Sequence, residues 1–112
     1  MKLADVILVR WAYSDGSGSK LRPAVVVQID ALNALIADTV LVQITGTSRN
    51  AQTEVVLDPA VEAASGLRYV SYAVCNNLLT TAQNRVVRQM GTLSAAAMQE
   101  IDDRLRFSLG LP

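Results

Sequence analysis

The chain predicts a mainly β, α+β fold in one domain spanning 1–112, and two observations carry that prediction. Short runs rich in Val, Ile and Leu, separated by clusters of Gly, Ser, Asn, Asp and Pro, fill the sequence as far as Met90. A longer segment with apolar residues at helical spacing closes it. Strands first and one packed helix last make a β-rich α+β domain. No internal repeat, linker or low-complexity segment interrupts the pattern.

Asp5 to Tyr13 reads as a strand of β-branched and apolar residues, with Trp11 and Tyr13 on one face because strand side chains alternate. Ser14 to Leu21 is a loop. Pro23 holds Arg22 extended and starts the next strand, Ala24 to Ile29. Asp30 to Asp38, rich in Ala and Leu, is a loop or a single helical turn. Thr39 to Thr45 is a third strand, followed by a polar loop from Gly46 to Gln52. Thr53 to Leu57 is a fourth, and Asp58-Pro59 opens a short helical stretch that Gly66 stops. Leu67 to Leu79 alternates like a strand around Tyr69, Ser71 and Tyr72, and Arg85 to Met90 is another short one. In the closing helix Leu93, Ala97, Met98, Ile101, Leu105 and Leu109 recur at helical spacing; Thr92 or Ser94 caps its start and Gly110 ends it.

A hydrophobic content of 51% against 18% charged residues is high for a soluble monomer of this length, so apolar surface is left over and a dimer interface is the ordinary place to put it. No apolar run reaches the length of a membrane span, and Met-Lys-Leu-Ala-Asp lacks the apolar core of a signal peptide. The single cysteine, Cys75, has no internal disulfide partner, which fits a reducing cytoplasm. With no histidine and one cysteine, a transition-metal site has almost no ligands to draw on, and two-histidine acid–base chemistry is excluded. Catalysis is left to Arg, Lys, carboxylates and hydroxyls, with no cofactor expected. Net charge is zero, but residues 65–92 carry Arg68, Arg85 and Arg88 and no acid. A local basic face is compatible with that distribution, whereas a basic field over the whole protein is not.

The segment SDGSGSKLRPAVVVQ, Ser14 to Gln28, is the most specific stretch. Its loop buries little and its glycines cost entropy to order, but it holds Arg22 where a strand begins. Taken alone, Arg22 reads as a salt-bridge partner of Asp15, Thr45 as a good strand former, and Trp11 and Tyr13 as packing aromatics that also offer a base a stacking surface.

Together with Asp5-Val6-Ile7-Leu8-Val9, the VLVQIT strand, Thr53-Glu54-Val55-Val56-Leu57 and Gly91-Thr92-Leu93-Ser94, that segment resembles the MazF/PemK/Kid toxins of type II toxin–antitoxin pairs over nearly the whole chain. The resemblance implies an SH3-like β-barrel with a C-terminal helix, homodimeric, whose partners are single-stranded RNA and a cognate antitoxin, and no metal. It implies that Arg22 and Thr45 act at the scissile phosphate, a role that suits a permanently charged fork and a hydroxyl donor. It also puts Asp15, Ser17, Ser19 and Lys20 of the mobile loop, with Thr47, Ser48 and Arg49, against RNA.

One departure stands out. Kid-like members read Asp-Gln-x-Arg after the fifth strand, and this chain reads Asn76-Asn77-Leu78-Leu79, with an amide where the acid is usual and Leu79 where the Arg is usual. Two functions follow from the resemblance. The first is an endoribonuclease in which Arg22 and Thr45 suffice. The second is a weakened toxin-fold binding module, or a poison of a protein target such as gyrase, as in the fold-related CcdB toxins.

Overall fold

The computed structural model describes residues 1–13 and 15–112; Ser14, the first residue of the predicted loop, lies outside them. The described residues form six strands and two α-helices: β1 Asp5–Ala12, β2 Ser19–Val26, α1 Asp30–Leu35, β3 Asp38–Thr45, β4 Glu54–Leu57, β5 Ser71–Ala82, β6 Val86–Thr92 and α2 Ala95–Leu109. All neighbouring strands run antiparallel in one sheet of order β4-β5-β3-β2-β1-β6.

Alternation along the strands sends apolar side chains to both faces of this sheet. Val6, Val25, Val42, Ile44, Val55, Leu57, Ala73 and Cys75 are buried with Leu93, Ala97 and Ile101 of the helical end. Ile7, Val9, Trp11, Ala24, Val26 and Leu41 form the second core, with Leu79 and Val86 packed against it. Burial raises the Cys75 thiol to about 11, with Arg104 opposing weakly, so the thiol is inert packing at neutral pH.

The C-terminal helix follows its predicted pattern. Ser94 caps it, accepting from the Ala97 N–H at 3.1 Å, and Gly110 ends it at φ 67°. Ala97, Met98, Ile101 and Leu105 face the core, but Leu109 is 54% exposed.

Strand ends depart from the sequence expectations where pairing overrides composition. β2 begins at Ser19 rather than Ala24, because Ala12, Trp11 and Arg10 pair with Ser19, Lys20 and Leu21. Pro23 is tolerated inside the strand since pairing with β3 starts only at Ala24. β5 begins at Ser71 rather than Leu67, its first pairing being with Leu57, the last residue of the four-residue β4. It runs past Leu79 to Ala82 because Asp38–Val42 pairs with it.

A buried amide network seats α1 between β2 and β3. Asn33 Oδ1 accepts from Gln28 Nε2 at 2.9 Å and from Thr39 Oγ1 at 2.7 Å, and Gln83 Nε2 donates to the Asn33 carbonyl at 2.8 Å. No apolar periodicity announces such a network.

Candidate active site

Between Val42 and Gln43 of β3 the register of β5 jumps, Val42 facing Leu78 and Gln43 facing Val74. Cys75, Asn76 and Asn77 therefore bulge from the ladder, and the Cys75 N–H turns instead to the Thr53 carbonyl at 2.8 Å. Bulges of this kind re-aim side chains. Here Asn76 and Asn77 are delivered to a cleft of about 530 Å³ at the end of β1, β2 and β3.

Each wall of the cleft has a local cause. Arg22 of β2 stands opposite buried Val9, so its stem rests on the second core and its guanidinium reaches the cleft. Gln43 and Thr45 share one face of β3 by alternation and both line it. Asn77 Nδ2 donates to Gln43 Oε1, tying β5 to β3 across the floor. Trp11 and Tyr13 close the β1 side. Trp11 belongs chiefly to the core at 8% exposure, while Tyr13 is 43% exposed.

Glu54 shapes the remaining wall. Its buried carboxylate accepts from Ser48 Oγ at 2.6 Å and from the N–H groups of Arg49 and Asn50 at 2.9 and 3.0 Å. Burial alone would raise this carboxyl. The Ser48 hydroxyl and the two backbone donors outweigh that and hold it below its ordinary value. With its lone pairs so engaged, Glu54 is a clamp on the β3–β4 loop rather than a base facing the cleft. Thr47 and Arg49 of the same loop line the cleft, and the Thr47 N–H donates to Thr45 Oγ1 at 3.5 Å.

Of the residues singled out from the sequence, Arg22, Thr45, Thr47, Arg49, Asn76, Trp11 and Tyr13 line this one cleft. Ser48 instead serves Glu54. Asp15, Ser17, Ser19 and Lys20 lie outside the cleft lining. Asp15 Oδ1 accepts the Ser17 N–H at 2.9 Å, and hydrogen bonds from the Ser17 side chain and backbone hold its carboxyl below the usual range. The Arg22–Asp15 ion pair is not made: among the described residues the ion pair is Arg106–Asp103, at 3.0 Å. Ser19 and Lys20 are strand residues, Lys20 being the cross-strand neighbour of Trp11. Leu79 packs on the second core, so that position has become a hydrophobic one.

Gln43, Asn77 and Glu54 are cleft residues that the sequence reading did not single out. Gln43 carried a usable signal, since it lies two residues before Thr45 on a strand. Glu54 did not, because two of its three donors are backbone groups of a loop.

The cleft thus offers two guanidinium groups, several hydroxyls and amides, and one carboxylate that already accepts three hydrogen bonds. Such a surface is chemically suited to an anion and to charge developing on it.

The family model described as PemK-like, MazF-like toxin of type II toxin–antitoxin system matches residues 2–109. Among solved structures, an endoribonuclease from a mycobacterial species in complex with its cognate antitoxin is similar at TM-score 0.83 and 26% identity, covering 100% of this chain and 97% of that one. A further mycobacterial endoribonuclease gives 0.80 at 25% identity, covering 100% and 93%. The MazE–MazF complex of Deinococcus radiodurans shares the fold at 0.78 and 18% identity, covering 100% and 98%.

Proposed function

The chain belongs to the PemK-like, MazF-like toxins of type II toxin–antitoxin systems, and on that premise we propose that it is a metal-independent endoribonuclease that arrests growth by cutting single-stranded RNA in the cleft around Arg22. The observation that carries this reading is the meeting of Arg22 and Thr45 in one cleft, with Arg22 in no ion pair among the described residues.

In the proposed reaction the ribose 2′-oxygen attacks the adjacent phosphorus. The new 2′-O–P bond forms as the P–O5′ bond breaks, leaving a 2′,3′-cyclic phosphate and a 5′-hydroxyl. Water takes the proton of the 2′-hydroxyl and returns one to the departing O5′, since the histidine-free chain offers no imidazole. The Arg22 fork bears on the two non-bridging oxygens as charge builds there, and the Thr45 hydroxyl donates to one of them. Asn76, Asn77 and Gln43 are neutral amides suited to hydrogen-bond a base edge rather than to move protons. Trp11 and Tyr13 give a base a face to stack on.

The physiological partners in this reading are RNA, a cognate antitoxin and a second copy of the chain, in the cytoplasm. Among the described residues no helix is long and apolar enough to cross a membrane.

Inducible expression of wild type and Arg22→Ala, with growth followed and RNA 5′ ends sequenced, tests the proposal. The expected result is arrest with new 5′-hydroxyl ends sharing a short sequence, both lost in Arg22→Ala. Arrest with intact RNA would replace it with a protein target, a reading that the amide at Asn76 and the packed Leu79 favour.

A further inference from the structure

A second cavity, about 460 Å³, lies where β1, the far half of β5 and the start of β6 converge. Arg10 and Arg85 stand in its lining, with the hydroxyls of Thr80 and Thr81 and an apolar strip from Leu79 and Val87. No carboxylate lines it, and neither arginine makes an ion pair among the described residues. Both arginines are exposed, so their charge is held for something outside the fold. Ala12 lines this cavity and the cleft around Arg22 alike, so the two are neighbours on the surface.

We propose that this cavity is a second subsite for the RNA strand, holding backbone phosphates that flank the scissile one. The assignment rests on the nuclease reading of the first cleft. Guanidinium groups beside hydroxyls and an apolar surface suit a nucleic-acid strand, whose phosphates take the charges and whose sugars and bases take the apolar contact. An acidic peptide would also satisfy the arginines. Its place beside the cleft at Ala12 and the two neighbouring hydroxyls favour the nucleic acid. The subsite also explains how a protein of zero net charge engages a polyanion: the acid-free stretch 65–92 supplies Arg85 to a place beside the site.

The test compares wild type with the double variant Arg10→Gln/Arg85→Gln on a short RNA just spanning the cleavage site and on a long one extending well beyond it. The expected loss in kcat/KM is about fivefold or more on the long RNA, carried by KM, with the short RNA unaffected. The salt dependence on the long RNA should weaken by about 1.4 in log–log slope, at about 0.7 per lost phosphate contact. Arg10→Lys/Arg85→Lys should restore most of it. Equal losses on both RNAs, no loss on the long one, or lost binding of an acidic peptide with RNA kinetics unchanged would each overturn the subsite. If wild type cuts neither RNA, the nuclease reading fails. The subsite then stands or falls on anisotropy of the same fluorescein-labelled RNAs, where the variant must again lose affinity only for the long one.

Discussion

Glu54 sets the shape of one cleft wall, and its behaviour follows from three donors converging on a buried carboxylate. Since its folded pKa lies below its ordinary value of 4.5, the ionised form is the one that folding favours. The stability it adds is therefore present above about pH 4.5 and is lost as pH falls through the lowered folded value. Acid unfolding should show a weaker pH dependence in Glu54→Gln than in wild type over that window. At neutral pH the same variant should be destabilised by about 1–3 kcal/mol, since charge-assisted bonds to Arg49 and Asn50 are lost. An unchanged acid limb would show that Glu54 does not clamp the loop. At this scale the sequence was partly legible. Arg22 and Thr45 could be singled out through the family resemblance, since taken alone they read as an ion-pair partner and a strand former. Glu54 could not, because its donors are supplied by a loop whose path no local rule dictates. Leu79 is a mixed case. Its sequence marks a missing charge, and only the fold shows that the position now packs on Leu41 and its neighbours.

Among the elements, α2 depends on a contact 32 residues away in sequence. Glu62 accepts from the Ser94 N–H at 2.8 Å and from its hydroxyl at 2.7 Å, while that hydroxyl accepts from Ala97. The chain before β5 is thereby tied to the helix start. Close by, β6 passes the 3₁₀ turn Ala63–Ser65 so tightly that a Cβ on Gly91 would lie 2.1 Å from the Ala64 carbonyl oxygen. Ser94→Ala removes the cap, worth about 1 kcal/mol, and also strips the buried Glu62 of a donor, costing a further ~1–3 kcal/mol. Chemical denaturation should show a loss of about 2 kcal/mol or more; a loss of only a few tenths would mean that Glu62 finds other partners. The helix and its cap were legible because a cap residue, an apolar stripe and a terminal glycine agree. The starts of β2 and β5 were not, because partner availability places them: Ser19 is extended only because Ala12 lies opposite.

For the whole molecule, the high apolar content leaves large side chains outside. Leu35, Val61, Tyr69, Val56 and Phe107 are 77%, 76%, 66%, 60% and 60% exposed. Isolated exposed apolar residues need no explanation, but a share this large on a small domain points to an interface. Light scattering after gel filtration should give twice the chain mass; a monomer at micromolar concentration would contradict the dimer. With zero net charge, the proposed RNA binding draws on local arginines, and its salt dependence follows the number of them that meet phosphates. In the proposed reaction Arg22 carries RNA cleavage without a metal. The most direct test is incubation of a random-sequence RNA pool with purified wild type or Arg22→Ala in excess chelator, measuring the initial rate and the chemistry of the ends. The expected result is cleavage by wild type to cyclic-phosphate and 5′-hydroxyl ends, slowed by about 10²–10³ in Arg22→Ala. Cleavage by the variant at the wild-type rate, or wild-type cleavage only on adding a divalent metal, would contradict it.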